Sequence, residues 1–202
     1  MTQELDKLID KYANRQQAAH WLYFRRFLKN PVGVASLTPS SPALGRLVAR
    51  HLRRQGEEYV VELGCGTGAI TSALLAAGVP PEKLIAVDLD AALLGVLRED
   101  SPDITVLECN AAEITRCLPP PVVGRVGTVI CGIPISLLPR PAQRRIVEEM
   151  FALMPPGHRF LAYTHRPISP LPRRELGLKG TCLARTLRNL PPASVWGYTR
   201  AE

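Results

Sequence analysis

Glu62-Leu63-Gly64-Cys65-Gly66-Thr67-Gly68 is the stretch that decides the fold. Before it, Tyr59-Val60-Val61-Glu62-Leu63 reads as a buried strand, and after it Ala69 to Ala77 reads as a helix closed by Gly78. Glycines at such a junction let the backbone turn sharply and let a ligand lie against bare main chain at a helix N-terminus. Asp88, twenty residues past Gly68, ends the next predicted strand, Leu84-Ile85-Ala86-Val87-Asp88. A carboxylate there is placed to hold two ribose hydroxyls.

Outward from this unit the pattern alternates. Asp90 to Leu97 is predicted helical, Ile104 to Leu107 a strand, Ala112 to Leu118 a short helix and Val126 to Cys131 a strand. Pro141 to Leu153 has helical spacing, with Ile146, Val147, Met150 and Phe151 inward, and Arg159 to Thr164 is the next strand. Alternating strands and helices predict an α/β fold with a doubly wound, mostly parallel sheet that binds its ligand beyond the carboxyl ends of the strands. The apolar stretches Leu183 to Leu187 and Ser194 to Thr199 are expected to close the sheet edge as an antiparallel hairpin.

Upstream, Ser40 or Ser41 can cap a helix that has Pro42 in its first turn and Leu44, Leu47, Val48, His51 and Leu52 on its buried face. Before it lies an arm. From about Glu4 to Lys29, Leu5, Leu8, Ile9, Tyr12, Ala19, Tyr23 and Phe27 fall on one helical stripe, with Trp21, Phe24 and Leu28 beside it and Arg25 and Lys29 on the other side. Asn30-Pro31 should end that helix. The expected organisation is an amphipathic arm over residues 1–30 and one domain over residues 31–202.

The 202 residues carry a net charge of +7, with the charge unevenly placed. Lys11 to Gly56 holds nine basic residues and no acid; residues 57–158 carry −6 and residues 159–202 carry +6. Both flanks would therefore attract a phospholipid surface, a nucleic acid or an acidic partner, and charge alone does not choose among them. No apolar run is long enough to span a bilayer, and the start lacks the pattern of a secretory signal. The five cysteines are accordingly expected to stay reduced, and no CxxC pair or Cys/His cluster points to a metal.

Gly64, Gly66 and Ala69 also satisfy the looser form of a dinucleotide fingerprint, but Glu62 argues against that ligand. A carboxylate two residues before the first glycine would repel a pyrophosphate, whereas it suits a ligand carrying an ammonium and a sulfonium charge. An ordinary glycine turn with a surface acid remains the bland alternative.

Glu62 to Gly68 resembles the first motif of class I S-adenosylmethionine-dependent methyltransferases, and Val87-Asp88-Leu89-Asp90 resembles their second. Three further segments are similar to bacterial phospholipid N-methyltransferases, relatives of the rRNA adenine dimethyltransferases. These are the basic arm running into Pro39-Ser40-Ser41, Cys131-Gly132-Ile133-Pro134 after the fourth strand, and Asn189-Leu190-Pro191-Pro192-Ala193 near the end. The resemblance implies a Rossmann-like methyltransferase fold with S-adenosylmethionine as cofactor. It implies that Gly64, Cys65, Gly66 and Gly68 carry the methionine part, with Glu62 near its amino group. Asp88 would then bind the ribose, Leu89 would pack on the adenine, and Asn110-Ala111 would meet the adenine edge where many relatives have an Asp.

Cys131-Gly132-Ile133-Pro134 departs from the Asn/Asp-Pro-Pro-Tyr pattern of base-amine methyltransferases, lacking both its polar acceptor and its stacking aromatic. That favours an aliphatic amine and counts against nucleic acid. Tyr163 and His165, at the end of the fifth strand, are the candidates to align and deprotonate the amine. The expected acceptor is the headgroup amine of phosphatidylethanolamine or its partly methylated forms. The expected partner is an anionic membrane surface on the cytoplasmic inner face, met peripherally by Trp21, Tyr23, Phe24, Arg25, Arg26 and Phe27. The same helix could instead, or also, be a cofactor lid. The rivals are an enzyme of this fold acting on RNA or a small soluble amine, and a non-enzymatic membrane-binding module with a degenerate cleft. By the same resemblance Cys65 and Cys131 border the cofactor and Gly132, Ile133 and Pro134 the acceptor; both cysteines read as small buried apolar groups, not nucleophiles, and Glu148 and Glu149 as a solvated helix face.

Overall fold

The structure, a computed structural model, describes residues 41–189 and 191–201. The predicted arm helix, its membrane-facing residues and the boundary near residue 30 lie outside the described residues.

In chain order the elements are α1 (Pro42–Arg50), β1 (Tyr59–Leu63), α2 (Ala69–Ala76), β2 (Leu84–Asp88), α3 (Ala91–Asp100) and β3 (Thr105–Glu108). They continue with α4 (Ile114–Cys117), β4 (Val126–Cys131), α5 (Arg140–Leu153), β5 (Phe160–Thr164), β6 (Leu178–Thr186) and β7 (Ala193–Arg200). The strands form one seven-stranded sheet in the order β3-β2-β1-β4-β5-β7-β6. The first five are parallel, and β7 pairs antiparallel with both β5 and β6. An antiparallel hairpin does close the sheet, with its second strand inserted next to β5, but its first strand, expected over Leu183 to Leu187, runs over Leu178–Thr186 and leaves Leu187 exposed beyond it.

Alternation along the buried strands divides the core between the two faces of the sheet. Val60, Ile130 and Leu161 pack with Leu44, Ile70, Leu74, Leu94 and Leu97 from α1, α2 and α3. Their neighbours Val61, Val129 and Phe160 pack on the other face with Ile146, Val147 and Met150 of α5. Because strand order reverses between β1 and β4, the loops leaving those two strands diverge around a crevice.

Ser41 is the residue that caps α1: its hydroxyl accepts from the Leu44 amide at 3.2 Å, a contact worth about 1 kcal/mol. Two expectations are corrected. Cys109 and Cys117 are disulfide-bonded, not reduced, because the turn into α4 brings positions eight residues apart to a Cα separation of 6.4 Å. Glu149 is buried and accepts from both the amide and the hydroxyl of Thr115, at 3.0 and 2.6 Å, since α5 packs that face against α4.

Candidate functional site

The glycine loop leaves β1 with Gly64, Gly66 and Gly68 all in the left-handed region, at φ of 77°, 55° and 83°. A side chain there would be strained, which explains the glycines. Their surroundings differ. Above Gly66 there is open space, where a Cβ would meet nothing within 4 Å. Gly64 is covered: a Cβ on it would lie 3.0 Å from both the backbone nitrogen and the side chain of Ile133. Gly68 is the N-cap of α2 and supplies no side-chain hydrogen bond to the helix, so the first amides of α2 are not capped from it.

Asp88, at the carboxyl end of β2, holds this loop in shape. Its Oδ2 accepts from the Gly66 amide at 2.9 Å, and its Oδ1 accepts from the amides of Leu89 and Asp90 at 2.7 and 3.1 Å. With one donor on Oδ2, that oxygen keeps acceptor capacity for a hydroxyl. Asn110, after β3, caps the turn that follows, its Oδ1 accepting from the Ala112 amide at 3.0 Å. One lone pair of that oxygen remains for an amine donor. Ala111 beside it is buried, and Leu89 is half-buried.

Glu62 is the most perturbed acid of the site. It is fully buried beneath the first turn of α2, where the Thr71 hydroxyl donates to its Oε2 at 2.6 Å. Its Oε1 is buried and has no hydrogen-bond partner. Burial first, and then the nearby Asp88 charge, push its pKa up to about 8 against the opposing Thr71 hydrogen bond. A buried carboxyl oxygen without a donor costs free energy, and a cation or N–H arriving there would recover it. Thr71 was not singled out from sequence, although its place on the strand-facing side of α2 was readable from the helical spacing.

Cys131-Gly132-Ile133-Pro134 crosses directly over the glycine loop. The Gly132 amide donates to the Leu63 carbonyl at 2.8 Å, and a Cβ on Gly132 would lie 2.8 Å from both the Gly64 carbonyl oxygen and the Tyr163 hydroxyl. Tyr163 thus reaches the junction of the two loops. Burial raises the Cys65 thiol far above its ordinary range and pushes Cys131 up to about 12, so both stay uncharged, as expected of small apolar groups.

His165 lies one residue beyond β5. Its Nδ1 is 3.2 Å from the Pro191 carbonyl oxygen and 3.4 Å from the Asn189 amide nitrogen. The Asn189 amide nitrogen donates to the same carbonyl at 2.8 Å, while its Oδ1 accepts from the Ser41 amide at 3.0 Å. Ser41, His165 and Asn189 therefore meet at one node, which sequence reading saw only as separate segments.

The residues present fit S-adenosylmethionine by three observations: open space over a left-handed glycine, an acidic strand end with spare acceptor capacity, and an orphaned buried carboxyl oxygen where an ammonium would be satisfied. Among the described residues no group of three His, Cys, Asp or Glu side chains could hold a metal. A methyltransferase-domain family matches residues 60–157, from β1 to the turn before β5. Residues 60–157 are a methyltransferase domain. Its cofactor is S-adenosylmethionine.

The methyltransferase is 27% identical over 179 residues to an ornithine lipid N-methyltransferase of Singulisphaera acidiphila, covering 87% of this chain and 93% of that one. Solved structures share its fold. The Burkholderia thailandensis 1,6-didemethyltoxoflavin-N1-methyltransferase matches at 16% identity with a TM-score of 0.60, over 95% of this chain and 90% of its own. TrmN from Thermus thermophilus matches at 22% identity and a TM-score of 0.58, over 87% of this chain, which spans 52% of the TrmN chain.

Proposed function

We propose that this methyltransferase moves methyl groups from S-adenosylmethionine to the headgroup amine of a membrane aminolipid, with phosphatidylethanolamine and its partly methylated forms as acceptors. One observation carries the reading: the acceptor side of the cleft is Cys131-Gly132-Ile133-Pro134, with Ile133 packed on Gly64 and no aromatic plane or carboxamide within that loop to receive a base. The lipid specificity of the Singulisphaera relative, matched over most of both chains, supports it.

In this reading the loop Gly64 to Gly68 with Cys65 carries the methionine part, Glu62 Oε1 accepts from its amino group, and Asp88 Oδ2 accepts from the ribose. Leu89, Asn110 and Ala111 border the adenine. The bound cofactor supplies an electrophilic methyl on a sulfonium. The protein contributes alignment, exclusion of water and removal of one proton, because an ammonium has no lone pair with which to attack. Tyr163 orients the amine beside Gly132, and His165, whose ring sits against Pro191 and Asn189, takes the proton. The arm carries the chain to the inner face of the membrane as a peripheral contact: Trp21, Tyr23, Phe24 and Phe27 insert at the headgroup boundary while Arg25 and Arg26 meet anionic lipid.

Expression in a host that makes phosphatidylethanolamine but none of its methylated derivatives tests the reading. Mass spectrometry of the lipid extract should show mono- to trimethylated phosphatidylethanolamine with the wild type and none with Gly66→Val. A lipid extract without any methylated aminolipid would overturn it.

A further inference from the structure

Beside the acceptor loop lies a second feature that the cofactor site does not use. A groove of about 750 Å³ runs between Ser136 after β4, Arg140 at the start of α5, and the connection from β5 to β6. Four arginines line it, Arg140, Arg166, Arg173 and Arg174, against one carboxylate, Glu175. Its walls are fixed. The Ser169 hydroxyl pairs with the Tyr198 hydroxyl at 2.7 Å, and Leu171 and Leu176 are buried in the core, so the connection between β5 and β6 is anchored at both sides of the arginines.

The four cations are not equivalent. Arg140 is held by Glu175 at 3.0 Å and by the Gln143 side-chain oxygen at 2.9 Å, and Arg173 donates to the Gly180 carbonyl at 2.9 Å. Among the described residues, no hydrogen bond or ion pair engages the guanidinium of Arg166 or Arg174. Arg166 follows directly on His165 and so stands at the carboxyl end of β5, the end at which the amine must be deprotonated. The same rim carries exposed aliphatic groups: Ile168 is 60% exposed and lines the groove, and Leu137, 42% exposed, follows Ser136. Arginines with no partner among the described residues, next to exposed aliphatic side chains, match a ligand that is anionic at one point and apolar beyond it.

We propose that this groove is the headgroup-anion subsite of the acceptor lipid, in which Arg166 and Arg174 bind the anion that neighbours the amine, a phosphate or a carboxylate, and so set the amine beside Tyr163 and His165. The inference rests on the aminolipid reading above and deepens it: the enzyme selects amines that carry an anion a few bonds away. A carboxylate and a phosphate both accept paired N–H donors from a guanidinium, so the shared chemistry is an anion able to take a forked arginine contact.

Trp196 lines the groove and provides a readout independent of methyl transfer. The sequence holds two tryptophans, so a full-length chain with Trp21→Phe reports from Trp196 alone. Its fluorescence should change saturably on titration with monomeric dihexanoyl phosphatidylethanolamine and with a short N-acyl ornithine. Binding should be at least ~10-fold weaker for a dihexanoyl amine of equal length lacking the anion. Arg166→Gln with Arg174→Gln should weaken binding of the first two ligands by at least ~10-fold, with S-adenosylmethionine affinity unchanged as the control for folding. Equal affinity for the anion-free amine, or no effect of the paired substitution, overturns the subsite. Inorganic phosphate binding as tightly as the lipid overturns it too, by making the groove a site for free anions. The two readings fail separately. Binding of phosphatidylethanolamine without any methylated product would sink the lipid activity and leave the subsite standing, whereas methylation at wild-type KM by the doubly substituted chain would sink the subsite alone.

Discussion

Replacing Glu62 by Gln should change how stability and cofactor binding respond to pH. Burial beneath α2 pushes the Glu62 carboxyl up to about 8 from an ordinary value of 4.5. Between those values the unfolded chain has released a proton that the folded chain keeps. Stability contributed at this group is thus full below the unfolded value and is lost as pH rises toward 8. For a shift of this size the loss between pH ~5.5 and pH ~8 is about 3 kcal/mol. Glu62→Gln removes the titration, so urea denaturation across that range should show the substituted chain gaining on the wild type by about 3 kcal/mol. His51, whose pKa is lowered by burial and by Arg159, titrates with the opposite sign, but it is present in both chains and cancels in the comparison. Cofactor binding adds a second readout. An ammonium at Glu62 Oε1 favours the carboxylate, so binding near pH ~7 should release a proton and tighten as pH rises toward ~8. Calorimetry in two buffers of different ionisation enthalpy measures that proton, and Glu62→Gln should abolish it. Parallel stability curves for the two chains, or proton-neutral binding by the wild type, would refute the placement of Glu62 as a buried acid waiting for a cation.

Asp88→Asn should weaken S-adenosylmethionine binding by at least ~10-fold in titration calorimetry, since an amide nitrogen cannot accept from both the Gly66 amide and a ribose hydroxyl; unchanged affinity in a folded chain would remove the ribose role. Gly66→Val should abolish cofactor binding while the chain stays folded by circular dichroism, because the branched side chain would fill the open space above a left-handed residue, and a variant that still methylates would place the cofactor elsewhere. Arg25→Glu with Arg26→Glu should cut sedimentation with anionic vesicles steeply, each lost basic group removing about 1 kcal/mol, and Trp21→Ala with Phe24→Ala should leave weak binding that salt abolishes. Vesicle binding by a chain lacking residues 1–29 that equals the intact protein would refute the membrane role of the arm.

Much of this architecture was readable because its signals are local. A glycine that must adopt positive φ, a carboxylate at a strand end and a period-2 or period-3.6 apolar pattern each sit within a few residues, and β1, β2 and β4 have the bounds that the pattern predicts. The rest depended on contacts between distant segments. Thr71 matters because α2 folds back over β1, Glu149 is buried because α5 meets α4, and Ser41 joins Asn189 across 148 positions. Composition also misled for Cys109 and Cys117: five cysteines read as a reduced set, whereas a tight turn makes two of them neighbours. The arginine groove was hidden for a similar reason. Arg140 opens α5 and Arg166 lies past β5, and only the adjacency of β4 and β5 brings them to one groove. At Asp88 the structure adds what spacing did not show, namely that the carboxylate shapes the glycine loop through the Gly66 amide.

The central claim is that the methyl acceptor is a lipid amine, and a competition measurement tests it most directly. The purified full-length chain would be given methyl-labelled S-adenosylmethionine together with phosphatidylethanolamine vesicles, total RNA and free ethanolamine in one vessel, and the label recovered from each fraction would be counted. The account predicts label in the phosphatidylethanolamine fraction, as its N-methylated forms, and background counts in RNA and in ethanolamine. Label in the RNA or in the soluble amine, with the lipid fraction at background, would contradict it.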